Sequence, residues 1–230
     1  MILHKQQRPN VNKLDSIESF PLEAKDLIKQ YLLVEKDYRY ALREMSAKLE
    51  NLDDYCQLTF SHNPIHHIES RIKTPINILE KIYRRGYEVN MDTLYELIYD
   101  IAGIRVICNY ISDIHNIIEL LLQQQDLTVR IKKDYISNPK VSGYRSIHIV
   151  FDVEMYIDRR IKKVPVEIQF RTLAMDMWAS LEHELRYKSK DDLSDDDKQK
   201  LKQYSDDLYQ VDLNMQRIFD SKMLGDKNNV

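Results

Sequence analysis

Four runs of β-branched and aromatic residues, at 104–110, 127–133, 144–153 and 164–170, alternate along the chain with segments of helical periodicity at 75–85, 92–100, 111–124 and 172–188. That interleaving restricts the fold more than any other feature. Strands that alternate with amphipathic helices must share one sheet, and the helices must cover it. The expected class is therefore α/β (α+β), a mixed central sheet covered by helices. Two longer helical patterns bracket it. Residues 18–54 carry Tyr31, Val34, Tyr38, Ala41 and Met45 at steps of three and four, and the far end repeats this with Leu201, Tyr204, Leu208, Val211, Met215 and Ile218. Ser194 is placed to cap the last helix, with Asp195, Asp196 and Asp197 in its first turn, where the helix dipole favours anions. Residues 1–17 read as a flexible arm, 18–220 as one domain and 221–230 as a frayed tail.

The first chemical signal is the segment 69–86. Glu69, Arg71 and Lys73 share one face of an extended stretch. Thr74 then fits an N-cap, Pro75 the first helical position and Gly86 the end. Within the helix Asn77, Lys81 and Arg84 form a polar stripe, and Ile78, Leu79 and Ile82 an apolar one. Several cations converge with a helix N-terminus, an arrangement suited to a polyphosphate. An ordinary amphipathic helix with solvated cations has the same pattern. No glycine-rich P-loop occurs.

The second signal is carboxylate placement. Asp100 precedes the turn Ala102-Gly103 and a strand holding Arg105, whose guanidinium needs a ligand or a carboxylate partner, with Asp100 itself a candidate. In 164–172, Glu167, Gln169 and Arg171 point opposite to Val166, Ile168 and Phe170. Tyr144, Ser146 and His148 alternate similarly, so the two strands read as the floor of a polar cleft. If Asp100 and Glu167 converge, they can hold one Mg²⁺ against phosphates. His66 and His67 do not read as a zinc site, because adjacent strand residues face oppositely and no second His pair has ligand spacing.

Together RIKTPINILEK, DIAGIRVI, NPKVSGYRSIHI, VEIQFRT and WASLEHELRYK resemble the synthetase domain of the RelA/SpoT-homologue family, in its short, stand-alone small alarmone synthetases. The resemblance implies a nucleotidyltransferase-like fold and transfer of pyrophosphate from ATP to the ribose 3′-hydroxyl of GDP or GTP, giving AMP and ppGpp or pppGpp. It implies that Arg71 and Arg105 sandwich adenine, and that Lys73, Asn77, Lys81 and Arg84 line the ATP phosphates. Asp100 would bind magnesium, and Glu167 would activate the hydroxyl and share the metal. Tyr144 would stack on guanine, with Lys140, His148, Gln169 and Asp176 lining the acceptor site. Asn77 stands where the family usually has Ser, and Asp176 where relatives often have Asn. No His-Asp dipeptide occurs, so no hydrolase activity is expected. The resemblance also implies a homotetramer, which the two apolar seams fit.

The totals narrow the alternatives. Charged residues make up 31% but leave a net charge of only -3, so no global nucleic-acid footprint exists, and RNA stays open only as a secondary ligand. Cys56 and Cys108 are the only cysteines and form no CxxC pair, which points to a reducing, cytoplasmic setting. No run has the length of a membrane span. Two other readings compete: a nucleotidyltransferase passing AMP to another acceptor, and a non-catalytic nucleotide- or RNA-binding regulator. Paired carboxylates argue against the second.

Overall fold

The computed structural model describes residues 2–3, 20–157, 159–188 and 193–226. Helix α1 (Leu22–Thr59) leads into β2 (Ile65–Ile72), α2 (Pro75–Arg85), α3 (Met91–Leu97), β3 (Ala102–Cys108), α4 (Ile111–Leu122), β4 (Leu127–Asp134), β5 (Ile147–Ile157), β6 (Arg160–Thr172), α5 (Leu173–Lys188) and α6 (Asp195–Asp226); Ile2–Leu3 form β1. The strands make one mixed sheet in the order β1-β2-β3-β6-β5-β4. β3 and β6 are parallel, and so are β1 and β2; the other pairs are antiparallel. The expected arm thus contributes β1 to the sheet edge, and the remainder of 1–17, apart from Ile2–Leu3, lies outside the described residues. At the other end helical hydrogen bonding runs to Asp226, past the start of the expected tail, and 227–230 lie outside the described residues.

Register explains the two faces. Ile68, Val106, Phe170 and Ile147 form one row across four strands, and Ile104, Ile168 and Ile149 another. These residues are buried to 1% exposure or less, and α1 packs across their strands. The α1 seam of Tyr31, Tyr38, Ala41 and Met45 is spent on this core, within the subunit. The opposite face carries the polar rows. Arg71, Gly103, Glu167 and Val150 form one, Glu69, Arg105, Gln169 and His148 the next, and His67, Ile107 and Arg171 a third. A parallel β3–β6 pair at the sheet centre therefore brings Asp100, just ahead of β3, toward Glu167 on β6.

Helix α6 straps the acceptor end of that face. Ser205 Oγ donates to the Gly143 carbonyl at 2.5 Å, Arg145 Nη2 to Asp206 at 2.9 Å, Trp178 Nε1 to the Leu201 carbonyl at 2.8 Å, and Thr172 Oγ1 to Asp212 at 2.6 Å. Gly143 has φ +92°, and a Cβ there would stand 2.9 Å from Ser205 Cβ, so glycine is required twice over. The other side of α6 is apolar and open: Tyr204, Val211, Met215 and Ile218 are each more than half exposed. The two seams read alike in sequence, and they separate here into one buried inside the subunit and one left at its surface.

Burial raises the Asp212 carboxyl above the usual carboxylate range, against the opposing Thr172 hydrogen bond. A folded-state pKa above the unfolded one means that ionisation disfavours the fold as pH rises through it. Asp212→Asn keeps an oxygen for Thr172. It is expected to raise the melting temperature at pH 7, and to lose that advantage below pH 3.8, where the carboxyl is protonated folded and unfolded alike. A melting temperature unchanged or lowered at pH 7 would contradict this.

Candidate active site

The donor side is built by β2, α2 and the turn before β3. Thr74 caps α2 by accepting from Asn77 N at 3.3 Å, Pro75 opens it, and Gly86 closes it in the left-handed conformation at φ 66°. Ile78, Leu79 and Ile82 are buried. That burial rotates Lys81 toward Asp100, whose carboxylate receives Lys73 Nζ at 2.5 Å and Lys81 Nζ at 2.7 Å. Burial pushes the Asp100 carboxyl up, but the two ammonium groups outweigh it and bring it down to about 2. The Lys73 ammonium is itself lowered by burial. Asp100 lies beyond the end of α3, not within the helix expected over 92–100, because α3 stops at Leu97.

Arg105 does not pair with Asp100. Its partner is Glu69, its cross-strand neighbour on β2, at 3.5 Å; Asp100 is already taken by the lysines. Burial, then the charges of Arg171 and Arg71, lower the Arg105 guanidinium. Two guanidinium groups therefore share one face of β2–β3. Arg84 projects from the exposed side of α2's last turn.

The acceptor side is a closed ring of side chains. Gln169 Nε2 donates to Glu167 Oε2 at 2.7 Å, and Arg171 Nη2 donates to Gln169 Oε1 at 2.8 Å and to the Tyr144 hydroxyl at 2.7 Å. Tyr144 then meets His148 Nε2 at 2.7 Å, and His148 Nδ1 faces Glu167 Oε1 at 3.4 Å. Arg171's donation leaves the Tyr144 hydrogen free to go to His148 Nε2, and in that tautomer the ring hydrogen on Nδ1 points toward Glu167. Burial and the charge of Asp100 push the Glu167 carboxyl up. His148 and Gln169 outweigh them, so it rests below the usual range.

Ser146 is not in this face. It is fully buried and donates to the Phe170 carbonyl at 3.0 Å. β5 begins only at Ile147, so the strand alternation does not reach back through 144–146. Asp176 accepts from Arg171 Nη1 at 2.8 Å, which commits one of its oxygens to the protein. Lys140 Nζ lies between two rings, 4.6 Å from the Tyr144 centroid and 4.7 Å from that of Tyr135.

The region found in RelA / SpoT proteins matches residues 70–192, just over half of the chain. The chain belongs to the RelA/SpoT family. The GTP pyrophosphokinase YwaC of Bacillus subtilis is 40% identical over 202 residues, 88% of this chain and 91% of that protein. YjbM of the same organism is 36% identical over 181 residues, 79% of this chain and 84% of that one. The crystal structure of small alarmone synthetase 1 from Bacillus subtilis bound to its product pppGpp superposes with a TM-score of 0.77 at 34% identity, over 84% of this chain and 98% of that one. The expected site residues, Arg71 to Asp176, all fall within the RelA/SpoT region, and Glu69, the partner of Arg105, lies one residue before it.

Three neighbours of the RelA/SpoT site escaped the sequence reading. Tyr135 meets His148 edge-on at 5.3 Å and carries Lys140 on its other contact. Its position five residues before Lys140 was the available signal. Arg85 stands one turn beyond Lys81, and its charge reaches Lys140 across the cleft. His183 of α5 lies close enough to Arg71 and Arg105 for both to lower its pKa, behind burial as the main cause. Among the described residues no group of three or more His, Cys, Asp and Glu converges as a metal cage. The charge of Asp100 is felt at Glu167, and two carboxylates completed by phosphate and water are a donor set that could hold magnesium.

Proposed function

We propose that the cleft between α2 and the acceptor ring carries out pyrophosphoryl transfer, with donor and acceptor on opposite sides of Glu167. The chain is a GTP pyrophosphokinase: it moves pyrophosphate from ATP to the ribose 3′-hydroxyl of GDP or GTP. The observation that carries the assignment of sites is the placement of Glu167. It lies on the sheet floor between the lysine-bound Asp100 and the Tyr144–His148 pair.

In this reading Arg71 and Arg105 hold the adenine between them, because planar guanidinium groups stack on a ring as well as pair. Lys73, Lys81 and Arg84 grip the ATP phosphates, with Asn77 at the helix start beside them. The ammonium groups on Asp100 are the ones a polyphosphate would compete for, so phosphate binding would release Asp100 for a cation. Asp100 and Glu167 would hold Mg²⁺, which supplies neutralisation of charge on the phosphate oxygens. Glu167 takes the 3′-hydroxyl proton, Tyr144 stacks on guanine, and Lys140, His148, Gln169 and Asp176 shape the acceptor side. Phosphoryl transfer needs chiefly positioning and charge stabilisation, and both are prepared here.

Incubation with ATP, GDP or GTP and Mg²⁺ tests the reaction. AMP and a 3′-pyrophosphorylated guanine nucleotide are expected, whereas release of free pyrophosphate would indicate nucleotidyl transfer instead. Lys81→Ala and Arg84→Ala test the donor side. Each is expected to weaken ATP use, the first more strongly because its ammonium is already at Asp100, with little effect on the guanine nucleotide. Kinetics in which only the guanine nucleotide suffered would reverse the two sites.

The open apolar stripe of α6 supports the homotetramer, since a second copy would cover Tyr204, Val211, Met215 and Ile218. Val211→Asp with Met215→Asp is expected to reduce the assembly's mass in solution; an unchanged mass would place the contact elsewhere. Both cysteines are buried and free, and among the described residues no helix is long and apolar enough to cross a membrane. Both features fit the cytoplasm.

A further inference from the structure

We propose that Arg171 is a positioning residue that locks the guanine platform Tyr144 and the base Glu167 into one unit, so that the acceptor is held only where the base can reach its hydroxyl. The proposal rests on the roles given above to Tyr144 and Glu167. Arg171 stands at the head of two branches that end on different oxygens of the same carboxylate. One runs through Gln169 to Glu167 Oε2, and the other through the Tyr144 hydroxyl and His148 to Glu167 Oε1. A carboxylate held at both oxygens cannot rotate, and catalysis by orientation depends on that fixity.

The arginine is itself fixed from behind. Its side chain is 5% exposed and its Nη1 donates to Asp176 on α5. Register places it opposite Ile107 on the floor of the same face, one row beyond Gln169. A buried ion pair kept for stability alone is weakly motivated, because apolar residues of similar size serve that purpose as well or better. The Nε of Arg171 is buried with no hydrogen-bond partner among the described residues, so the arginine's bonds all leave from its two terminal nitrogens. What the geometry does gain is a planar fork whose Nη1 holds Asp176 while Nη2 serves both branches. A lysine ammonium has the charge but not the fork.

The test is a cycle of variants in the full chain, read by steady-state kinetics for ATP and for GDP and by melting temperature. In Arg171→Met, kcat is expected to fall about tenfold and KM for GDP to rise several-fold, with KM for ATP unchanged. Arg171→Lys, which keeps a buried cation for Asp176, is expected to fold like the parent and to show the same kinetic split; it decides the matter if the methionine variant does not fold. Tyr144→Phe, which cuts only one branch, is expected to cost a few-fold alone and nothing further in an Arg171→Lys background, since that branch is then already open. Additive effects, equal losses for both substrates, or parent kinetics in folded Arg171→Lys would overturn the proposal. If Glu167→Gln kept its turnover, the reading of Glu167 as base would fail. If Glu167→Gln lost turnover while Arg171→Lys did not, only the positioning role would fail.

Discussion

Glu167→Gln is expected to lower turnover by about 10²–10⁴-fold, the usual contribution of a positioned general base, while ATP and guanine nucleotide still bind. The substitution is nearly isosteric, and the site tolerates it on one side only. A glutamine oxygen still accepts from Gln169 Nε2, now 2.7 Å from Glu167 Oε2. The amide NH₂ then faces His148 Nδ1 across the present 3.4 Å gap, and with the ring hydrogen on Nδ1 two donors meet where a donor and an acceptor stood. That mismatch lies at the sheet surface and outside the apolar core, so the variant should fold. The carboxyl's depressed pKa adds a second point. Glu167 is ionised throughout the neutral range, but it is correspondingly weak as a base. Its value is then location and charge more than proton affinity, which suits a loose phosphoryl-transfer transition state where the proton leaves late. Calorimetric titration with GDP and a non-hydrolysable ATP analogue, beside a turnover assay, separates binding from chemistry. A folded variant with near-normal turnover would remove Glu167 from the mechanism.

The parts of this fold that were legible in sequence are those fixed by local rules. Thr74, Pro75 and Gly86 bound α2 as capping chemistry dictates, and the face of Ile78, Leu79 and Ile82 is the buried one. The alternation of Val166, Ile168 and Phe170 against Glu167, Gln169 and Arg171 also holds, because a strand's two sides are set by the pleat. What was hidden depends on register between strands distant in sequence. Arg105 belongs to Glu69 only because β2 and β3 pair antiparallel at that offset. Asp100 belongs to Lys73 and Lys81 only because β2, α2 and the turn before β3 meet in space. Ser146 failed for a different reason: a period of two was extended past the end of the strand, where it has no physical basis. Arg171 could be read as polar, yet nothing in the sequence marks it as the residue joining Gln169, Tyr144 and Asp176. The two apolar seams illustrate the limit best. Their spacing is the same, and only the sheet's demand for a cover decides that α1 is spent inside while α6 is left open.

Tyr144→Ala is expected to raise the KM for GDP or GTP by about 5- to 150-fold, the equivalent of about 1–3 kcal/mol of base–aromatic stacking, with little effect on ATP. In a chain with 15 tyrosines a packing role is a serious alternative, but the surroundings of this ring argue against it. Tyr144 is half-buried and stands outside the hydrophobic core cluster. Its neighbours Tyr135 and His148 meet it at 69° and 85°, so neither is stacked on it. Two cations lie over it: the Arg171 guanidinium, 5.2 Å from its centroid, and the Lys140 ammonium at 4.6 Å, on a flexible stem that can move aside for a base or stay to meet its polar edge. The loop does not depend on the ring for its shape either. Ser205 holds the Gly143 carbonyl, Arg145 is fixed by Asp206 and by the Ile136 carbonyl, and the Gly143 and Lys140 backbones bond to each other. The alanine variant should therefore keep its melting temperature to within a few degrees. Tyr144→Phe separates the two things the side chain offers: it keeps the stacking face and loses the hydroxyl that joins Arg171 to His148, so its KM for guanine nucleotide should lie much nearer the parent value. An alanine variant that unfolds would return Tyr144 to a packing role. One that folds and binds GDP and GTP normally would pass the platform to another aromatic, and Tyr135, on the far side of Lys140, would be the first to replace in turn.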